Sequence, residues 1–280
     1  PITPIAPSMS PKEWFDAGFY DQLPPLDYGM DGDAGPDGKR AYGKHPHYMP
    51  RCHTCFHHKF MFVTLEGNHE KEIVRNLKIV MCHMKGLPAD CGEHFIDQDC
   101  SVFSHIDAKD WFIFTFVMDP HSRAISSWTE GLRRDLLKAR IPEHLIEDRL
   151  RGEEKSCPFR SYVMWASGLD RSAGMSCPFS RPDHQYEAIF TSQMLPAVNY
   201  VGRIEYYNRD ILAVLQLIDP NGDMVEYHKQ HAVEFGLHED WHPEDWRQFY
   251  KDGGVPDTWS LVGRQWQKDI EMLKYPAGIL

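Results

Sequence analysis

Residues 111–128, WFIFTFVMDPHSRAISSW, constrain the fold more than any other part of the chain. The run 111–118 is rich in aromatic and β-branched side chains, which predicts a buried strand. Asp119 and Pro120 end this strand and begin a helix, with the aspartate at the N-cap and the proline in the first turn. The first two turns of the helix carry hydrogen-bond donors, namely Ser122, Arg123, Ser126 and Ser127. A strand, a tight turn and such a helix N-terminus together indicate an anion-binding site.

The same stretch resembles the second cofactor motif of the sulfotransferase families, chiefly the carbohydrate and membrane-associated branch. That motif reads roughly F-T-F-V-R-D-P-x-x-R-x-x-S. Residues 114–117, residues 119–120, Arg123 and Ser126 match it in place, whereas Met118 stands at its first arginine. The resemblance implies that Ser126 contacts the 3′-phosphate of 3′-phosphoadenosine 5′-phosphosulfate (PAPS) and that Arg123 belongs to the cofactor-binding set. Methionine cannot donate the hydrogen bond that the family's arginine supplies.

An earlier strand–turn–helix pattern resembles the first cofactor loop of these families, which reads roughly F-V-x-x-P-K-x-G-G-T-S. Residues 59–66 predict the first core strand, Gly67 and Asn68 a turn, and residues 69–77 a helix. The resemblance implies that Gly67 and Asn68 occupy cofactor-binding positions. The lysine that holds the 5′-phosphosulfate in the family falls on Gly67, which carries no charge.

The charges around this turn disfavour the cofactor. Three carboxylates surround the start of the helix and would repel a bound phosphosulfate, namely Glu66, Glu70 and Glu72. Lys59 or Lys71 could reach in from another position as a substitute cation. An ordinary strand followed by a well-capped helix explains the same pattern without a ligand.

Two histidines are candidate catalytic residues. Residues 78–83 (KIVMCH) predict a second buried strand, and His83 at its end could face a cleft. A structural role is the commoner one for a lone histidine in such a place. His105 lies shortly before the central strand, where family members often carry a Gly-His segment. The resemblance implies that His105 is a general base, which takes a proton from an acceptor hydroxyl as that oxygen attacks sulfur.

Three later segments also resemble the sulfotransferase families. Residues 199–205 (NYVGRIE) are similar to a segment that reads roughly D-F-V-G-R-x-E. Within it, Arg203 and Glu205 could contact a ligand or form a buried ion pair that braces the core. Residues 182–185 (PDHQ) resemble a polar segment near the family's substrate site, and residues 269–275 (DIEMLKY) resemble its C-terminal phrase.

The composition limits the classes of partner and the compartment. The 280-residue chain has a formal net charge of −11, which disfavours nucleic acid and highly sulfated glycans as ligands. Its longest apolar run is too short for a transmembrane segment. A leader or an anchor could precede Pro1 in the full protein.

Seven cysteines favour disulfides and therefore an oxidising compartment, such as the Golgi lumen of the secretory pathway or the lumen of another organelle. The pairs Cys91/Cys100 and Cys157/Cys177 bracket loop-like sequence, and the odd total leaves at least one thiol free. Residues 45–58 (HPHYMPRCHTCFHH) could bind zinc through their Cys-x-x-Cys pair and two histidines. A disulfide-bonded or reduced loop explains that segment without a metal, and we predict no metal site.

The patterns predict an irregular N-terminal extension over residues 1–58 and a sulfotransferase-like domain over residues 59–280. Strands alternate with helices along the second region, which indicates an α/β fold. The resemblance implies a mainly parallel central sheet flanked by helices, with a P-loop-like first turn.

Two functions follow from the resemblance. The first function is that of a scaffold that has lost PAPS binding, because Gly67 and Met118 replace the cations of the two cofactor motifs. Such a scaffold serves a protein partner as a structural or binding subunit. The second is an active enzyme that moves a sulfuryl group from PAPS to a hydroxyl, of a carbohydrate or of another small acceptor. A nucleotide kinase is disfavoured because the chain contains no Gly-x-x-x-x-Gly-Lys-Ser/Thr motif.

Overall fold

The computed structural model describes residues 51–56, 58–65, 67–84, 96–100, 111–140, 157–169, 184–185, 198, 200–231, 247–251 and 257–275. His105, Cys91, Cys177 and most of the predicted N-terminal extension lie outside the described residues.

Strands and helices alternate through the described part of the chain. The strands are β1 (Arg51–Cys55), β2 (Phe60–Val63), β3 (Ile96–Asp99), β4 (Phe112–Val117) and β5 (Tyr200–Arg203). The α-helices are α1 (Glu70–Met84), α2 (Pro120–Lys138), α3 (Phe159–Ala166), α4 (Tyr207–Ile218), α5 (Asp223–Gln230), α6 (Thr258–Gln265) and α7 (Gln267–Met272). Short 3-10 helices cover Ile204–Tyr206 and Arg247–Tyr250.

The five strands form one mixed sheet in the order β3-β1-β2-β4-β5. β4 pairs in parallel with both β2 and β5, as the α/β prediction requires. β1, however, pairs antiparallel with β2 and with β3, so the prediction of a mainly parallel sheet is wrong for this half. Only residues 56–59 connect β1 to β2, and so short a connection allows antiparallel pairing alone. β1 belongs to the sheet although the sequence assigned its residues to the extension.

The alternation of side chains along the strands divides the core between the two faces of the sheet. Phe62 and Phe114 face helices α1, α4 and α5, where they pack with Ile73, Leu77 and Val214. Met61 and Ile113 point to the other face, where α7 contributes Ile270. A further cluster packs α2 against α3 and α6 around the buried Trp128 and Trp266.

Residues 78–83, predicted as a strand, are the second half of helix α1. The buried apolar residues of α1 recur at helical spacing, at Ile73, Leu77, Val80 and Met81. The short apolar run at the end of this stripe fits a strand as well as one turn of a buried helix, and the predicted strand is wrong. Within the described ranges, none of the helices combines the length and apolar character that crossing a membrane requires.

One disulfide joins Cys52 of β1 to Cys100 at the end of β3, so the predicted pair Cys91/Cys100 is wrong. Cys82 and Cys157 are also disulfide-bonded, and Cys55 is a free, buried thiol, which confirms that at least one cysteine is unpaired. Cys52 and Cys55 pack in the cores on opposite faces of the sheet. The two therefore cannot share a zinc ion.

Candidate functional site

The parallel strands β2, β4 and β5 end at the same edge of the sheet. In open α/β sheets, ligands bind in the crevice outside the carboxyl ends of such strands. Gly67 and Asn68 follow β2, Met118 and Asp119 follow β4, and Glu205 follows β5. We call this region the carboxyl edge, and it brings both cofactor-like motifs of the sequence together.

Asp119 caps helix α2 as predicted. Its Oδ1 accepts hydrogen bonds from the backbone N–H groups of His121 and Ser122, both at 3.0 Å. These bonds satisfy two donors that have no partner within the helix. The cap fixes the direction in which α2 leaves β4 and so sets the position of its first two turns.

Gly67 lies directly against α2. Its φ is +81°, and a Cβ built on it would lie 2.3 Å from Ser127 Oγ and 3.6 Å from Arg123 Cγ. Only glycine fits such a left-handed position at such a close approach. The β2–α1 turn and α2 are therefore in van der Waals contact, with no room for a ligand between Gly67 and Ser127.

The predicted cofactor-binding side chains are all buried. Asn68 is 2% exposed, Arg123 3% and Ser126 8%. The structure thus brings the predicted cofactor-binding residues, including Gly67, together at the carboxyl edge. A ligand could reach them only if part of the carboxyl edge moved.

Gln185, the last residue of the segment 182–185, bridges the ends of β2 and β4. Gln185 is fully buried, and its Oε1 accepts hydrogen bonds from Asn68 Nδ2 (2.8 Å) and from the Met118 backbone N–H (2.9 Å). Its Nε2 donates to the Met118 carbonyl at 2.7 Å. Asn68 Nδ2 also donates to the Phe116 carbonyl at 2.8 Å. We call this network of Asn68, Met118 and Gln185 the Gln185 clasp.

The candidate substitute cation Lys71 does not contribute to the carboxyl edge. Its ammonium group pairs with Glu130 of α2, and its side chain is 71% exposed. His69 lies beside the same turn with φ +55°, and burial lowers the pKa of its imidazole although Glu72 and Glu130 oppose this shift. Arg123 is the cationic side chain that packs beside Gly67.

Glu205 connects β5 to the start of α2. Its Oε1 accepts a hydrogen bond from the Asp119 backbone N–H at 2.5 Å, and its Oε2 lies 3.4 Å from the Tyr275 hydroxyl, which donates to it. Burial raises the pKa of this carboxyl from 4.5 to about 7, although the hydrogen bond from the Asp119 backbone N–H opposes this shift. Glu205 therefore changes its charge near neutral pH at the carboxyl edge.

The ion-pair alternative requires Arg203 to contact the Glu205 carboxylate, but Arg203 donates no hydrogen bond to it. Its Nη2 donates to the Leu273 carbonyl at 2.5 Å, and its guanidinium lies 4.4 Å from the centroid of the Tyr275 ring. Its backbone N–H donates to Asp210 Oδ2 at 2.8 Å. Arg203 thus fixes the C-terminal segment to the sheet, which is a structural role.

The structure does not bring His83 to the carboxyl edge. Helix α1 begins at that edge and runs back along the sheet, and His83 lies in its last turn, about 20 Å away along the helix axis. The exposed His83 imidazole stacks on Tyr227 with ring centroids 3.6 Å apart. His105 lies outside the described residues, so its catalytic role stays a prediction.

Two other histidines lie at elements next to the site. His121 is buried and stacks on Trp259 at 3.6 Å, which joins α2 to α6, and burial lowers the pKa of its imidazole. His184 Nδ1 lies 3.9 Å from Oδ2 of the fully buried Asp269 on α7. His184 and Gln185 belong to the segment 182–185, whose resemblance to a polar segment near the family's substrate site did not predict these contacts.

Comparisons of the chain with protein-family models, with curated proteins and with solved structures returned no match.

We predict that Gly67→Ala lowers the free energy of unfolding by about 3 kcal/mol or more, because it adds a left-handed alanine and a clash with Ser127 Oγ. In a Ser127→Ala background the clash partner is gone, and the cost should fall to the about 1–2 kcal/mol of the left-handed conformation. Urea denaturation of the four proteins gives the coupling free energy. If the free-energy costs of Gly67→Ala and Ser127→Ala are strictly additive in the double variant, the turn and α2 are not in contact.

A second prediction concerns pH. Folded Glu205 retains its proton to a pH of about 7, whereas the unfolded carboxyl loses it near 4.5, so its contribution to stability declines as the pH rises between these values. Glu205→Gln removes this dependence. As the pH rises from 5 to 8, we expect the free energy of unfolding of Glu205→Gln to increase relative to that of wild type by on the order of 1–3 kcal/mol. Urea denaturation at both pH values measures the difference. The exposed Glu226→Gln is the control, and equal pH dependence in wild type and Glu205→Gln would refute the assignment.

Proposed function

We propose that this chain is a sulfotransferase-like protein that has lost PAPS binding and acts as a structural or binding subunit. The observation that carries the proposal is the Gln185 clasp. Gln185 fills the space between the β2–α1 turn and the end of β4, where the resemblance puts the cofactor. The side chains implied in cofactor binding are themselves buried.

The charges at the carboxyl edge support the same conclusion. Gly67 and Met118 stand where the family has a lysine and an arginine, and a charged hydrogen bond to phosphate is worth about 1.5–3 kcal/mol. Lys71, which could have compensated, is paired with Glu130. PAPS would have to displace the clasp and would then meet fewer cations than the family provides.

A subunit of this kind requires a partner, and the chain offers two constraints on it. The net charge of −11 favours a protein partner with a basic surface. The buried disulfide between Cys52 and Cys100 favours assembly in an oxidising lumen, such as that of the secretory pathway.

One observation favours a second candidate, an active PAPS-dependent sulfotransferase. Arg123 packs beside Gly67, so its guanidinium could replace the lost lysine if the edge opened. Ser126 would then hold the 3′-phosphate and His105 would act as base. The acceptor would be a hydroxyl, of a carbohydrate or of another small molecule.

Calorimetric titration with 3′-phosphoadenosine 5′-phosphate at low salt separates the two candidates. We expect no binding heat and no thermal shift at millimolar ligand, because the clasp closes the crevice and both motif cations are missing. Ser126→Ala tests the predicted phosphate contact, and Ser260→Ala, at an exposed position of α6, is its matched control. Micromolar binding by wild type that Ser126→Ala weakens about tenfold, and Ser260→Ala does not, would establish the enzyme and refute the subunit proposal.

A further inference from the structure

We propose that residues 273–275 form a pH-sensitive strap, which lies against the end of β5 at acidic pH and is released as the pH rises through neutrality. We call these residues the Tyr275 strap. The proton on Glu205 is the switch, and Arg203 transmits its loss to the strap. This device goes beyond the proposed function, because it does not depend on whether the carboxyl edge binds a nucleotide.

The Tyr275 strap caps the C-terminal end of α7 under strain. The Tyr275 N–H donates to the Ile270 carbonyl at 2.9 Å. The Lys274 N–H donates to the Glu271 carbonyl at 3.4 Å, which completes a Schellman motif. Glycine is the usual residue at the left-handed position of this motif, but here Lys274 occupies it with φ +53°. Contacts with β5 therefore matter for keeping the strap closed.

Side chains from the end of β5 hold the strap in two places. Arg203 Nη2 donates to the Leu273 carbonyl at 2.5 Å, and its guanidinium lies 4.4 Å from the centroid of the Tyr275 ring. The Tyr275 hydroxyl donates to Glu205 Oε2 at 3.4 Å. Leu273 and Tyr275 are both buried, so the strap is closed in this state. The two attachments come from residues only two positions apart, and both contact Tyr275.

Three groups that are charged or titratable face the Glu205 carboxyl, one from each element packed against it. Asp119 lies at the start of α2, Arg203 at the end of β5 and Tyr275 in the strap. Burial raises the pKa of Glu205 to about 7, although the Asp119 backbone N–H and the charge of Arg203 act to lower it. Burial also raises the pKa of the Tyr275 hydroxyl, which therefore keeps its proton at neutral pH. The charge that changes near pH 7 is that of Glu205.

Loss of the Glu205 proton weakens both attachments of the strap. Arg203 Nη1 is buried and, among the described residues, has no hydrogen-bond partner, so it is available to a new acceptor. A guanidinium forms a stronger hydrogen bond with a carboxylate than with a neutral carbonyl such as that of Leu273. Ionised Glu205 therefore draws Arg203 away from the strap. A buried carboxylate is also costly, and Glu205 gains water when Tyr275 leaves.

The direction of the pH effect follows from the pKa of Glu205 in the two states. With the strap closed, the carboxyl retains its proton to a pH of about 7, and in the released state contact with water returns its pKa toward 4.5. Protonation of Glu205 therefore favours the closed strap at low pH, and this preference is lost as the pH rises through 7. From pH 5 to pH 8 we expect the equilibrium to shift toward the released strap by on the order of tenfold or more.

Amide hydrogen exchange of the full chain, read by NMR at pH 5 and pH 8, tests the strap. The reporter is the Tyr275 N–H, which exchanges only when its hydrogen bond to the Ile270 carbonyl opens. After correction for the intrinsic exchange rate at each pH, we expect its protection factor to fall at least tenfold from pH 5 to pH 8. A protection factor that stays within twofold would overturn the proposal.

Two variants assign the effect to Glu205. In Glu205→Gln the side chain cannot ionise, so the protection factor of the Tyr275 N–H should agree within twofold at the two pH values. Glu271→Gln is the matched control, because it removes an exposed carboxylate of α7 that accepts a hydrogen bond from Gln267. This control should keep the pH dependence of wild type. Equal pH dependence in wild type and Glu205→Gln would exclude Glu205 as the switch and overturn the proposal.

Low concentrations of urea distinguish release of the strap from unfolding of the whole chain. Local release exposes little surface, so at pH 8 the Tyr275 N–H of wild type should be at least tenfold less protected than the amides of β4 and less sensitive to urea. If its protection and urea dependence equal those of β4, the strap opens only on global unfolding, and the proposal fails. This comparison needs no variant. Nucleotide binding by wild type would refute the subunit proposal, while the exchange rates would still decide the strap.

Discussion

Met118 directly follows strand β4, and its buried backbone N–H and buried carbonyl both need partners. Gln185 supplies both, and Asn68 completes the contact from the other side. Much of the carboxyl edge depends on this arrangement, because it determines what fills the crevice between β2 and β4. A side chain from a distant part of the chain takes the place in which an open α/β fold commonly binds its ligand.

The charges at the carboxyl edge, like its packing, disfavour an anionic ligand. Where a phosphosulfate site requires fixed cations, the edge has Gly67 and Met118, with Glu72 and Glu130 close to the turn. Glu205 contributes a carboxyl whose pKa, raised by burial to about 7, adds or removes a negative charge near neutrality. The Arg203 guanidinium contacts the C-terminal segment, through the Leu273 carbonyl and the Tyr275 ring. These features are the basis for the proposal that the edge does not bind a highly charged cofactor.

The sequence predicts best the features that depend on neighbouring residues. The strand that became β4, the cap at Asp119 and helix α2 follow from local pattern, and the structure confirms them. Residues 78–83 were misread because a short apolar run fits a strand as well as one turn of a buried helix stripe. The antiparallel β1 was missed because its pairing depends on a short connection within a Cys- and His-rich segment.

The candidate site was predictable only in part. Gly67, Asn68, Arg123 and Ser126 were identified from motif resemblance, and the fold does bring them to one edge. Gln185 lies 67 residues from Met118 and 117 from Asn68, so the resemblance of residues 182–185 drew attention to the segment but could not predict these contacts. Its contacts follow from tertiary structure, as do the disulfide partner of Cys52 and the pKa of Glu205.

The most direct test of the account is a crystal structure of the chain grown with excess 3′-phosphoadenosine 5′-phosphate. The account predicts that Gln185 remains hydrogen-bonded to both backbone groups of Met118 and that no nucleotide lies at the carboxyl edge. A nucleotide bound between Gly67 and Ser126, with Gln185 displaced from Met118, would contradict the closed crevice and support an active sulfotransferase.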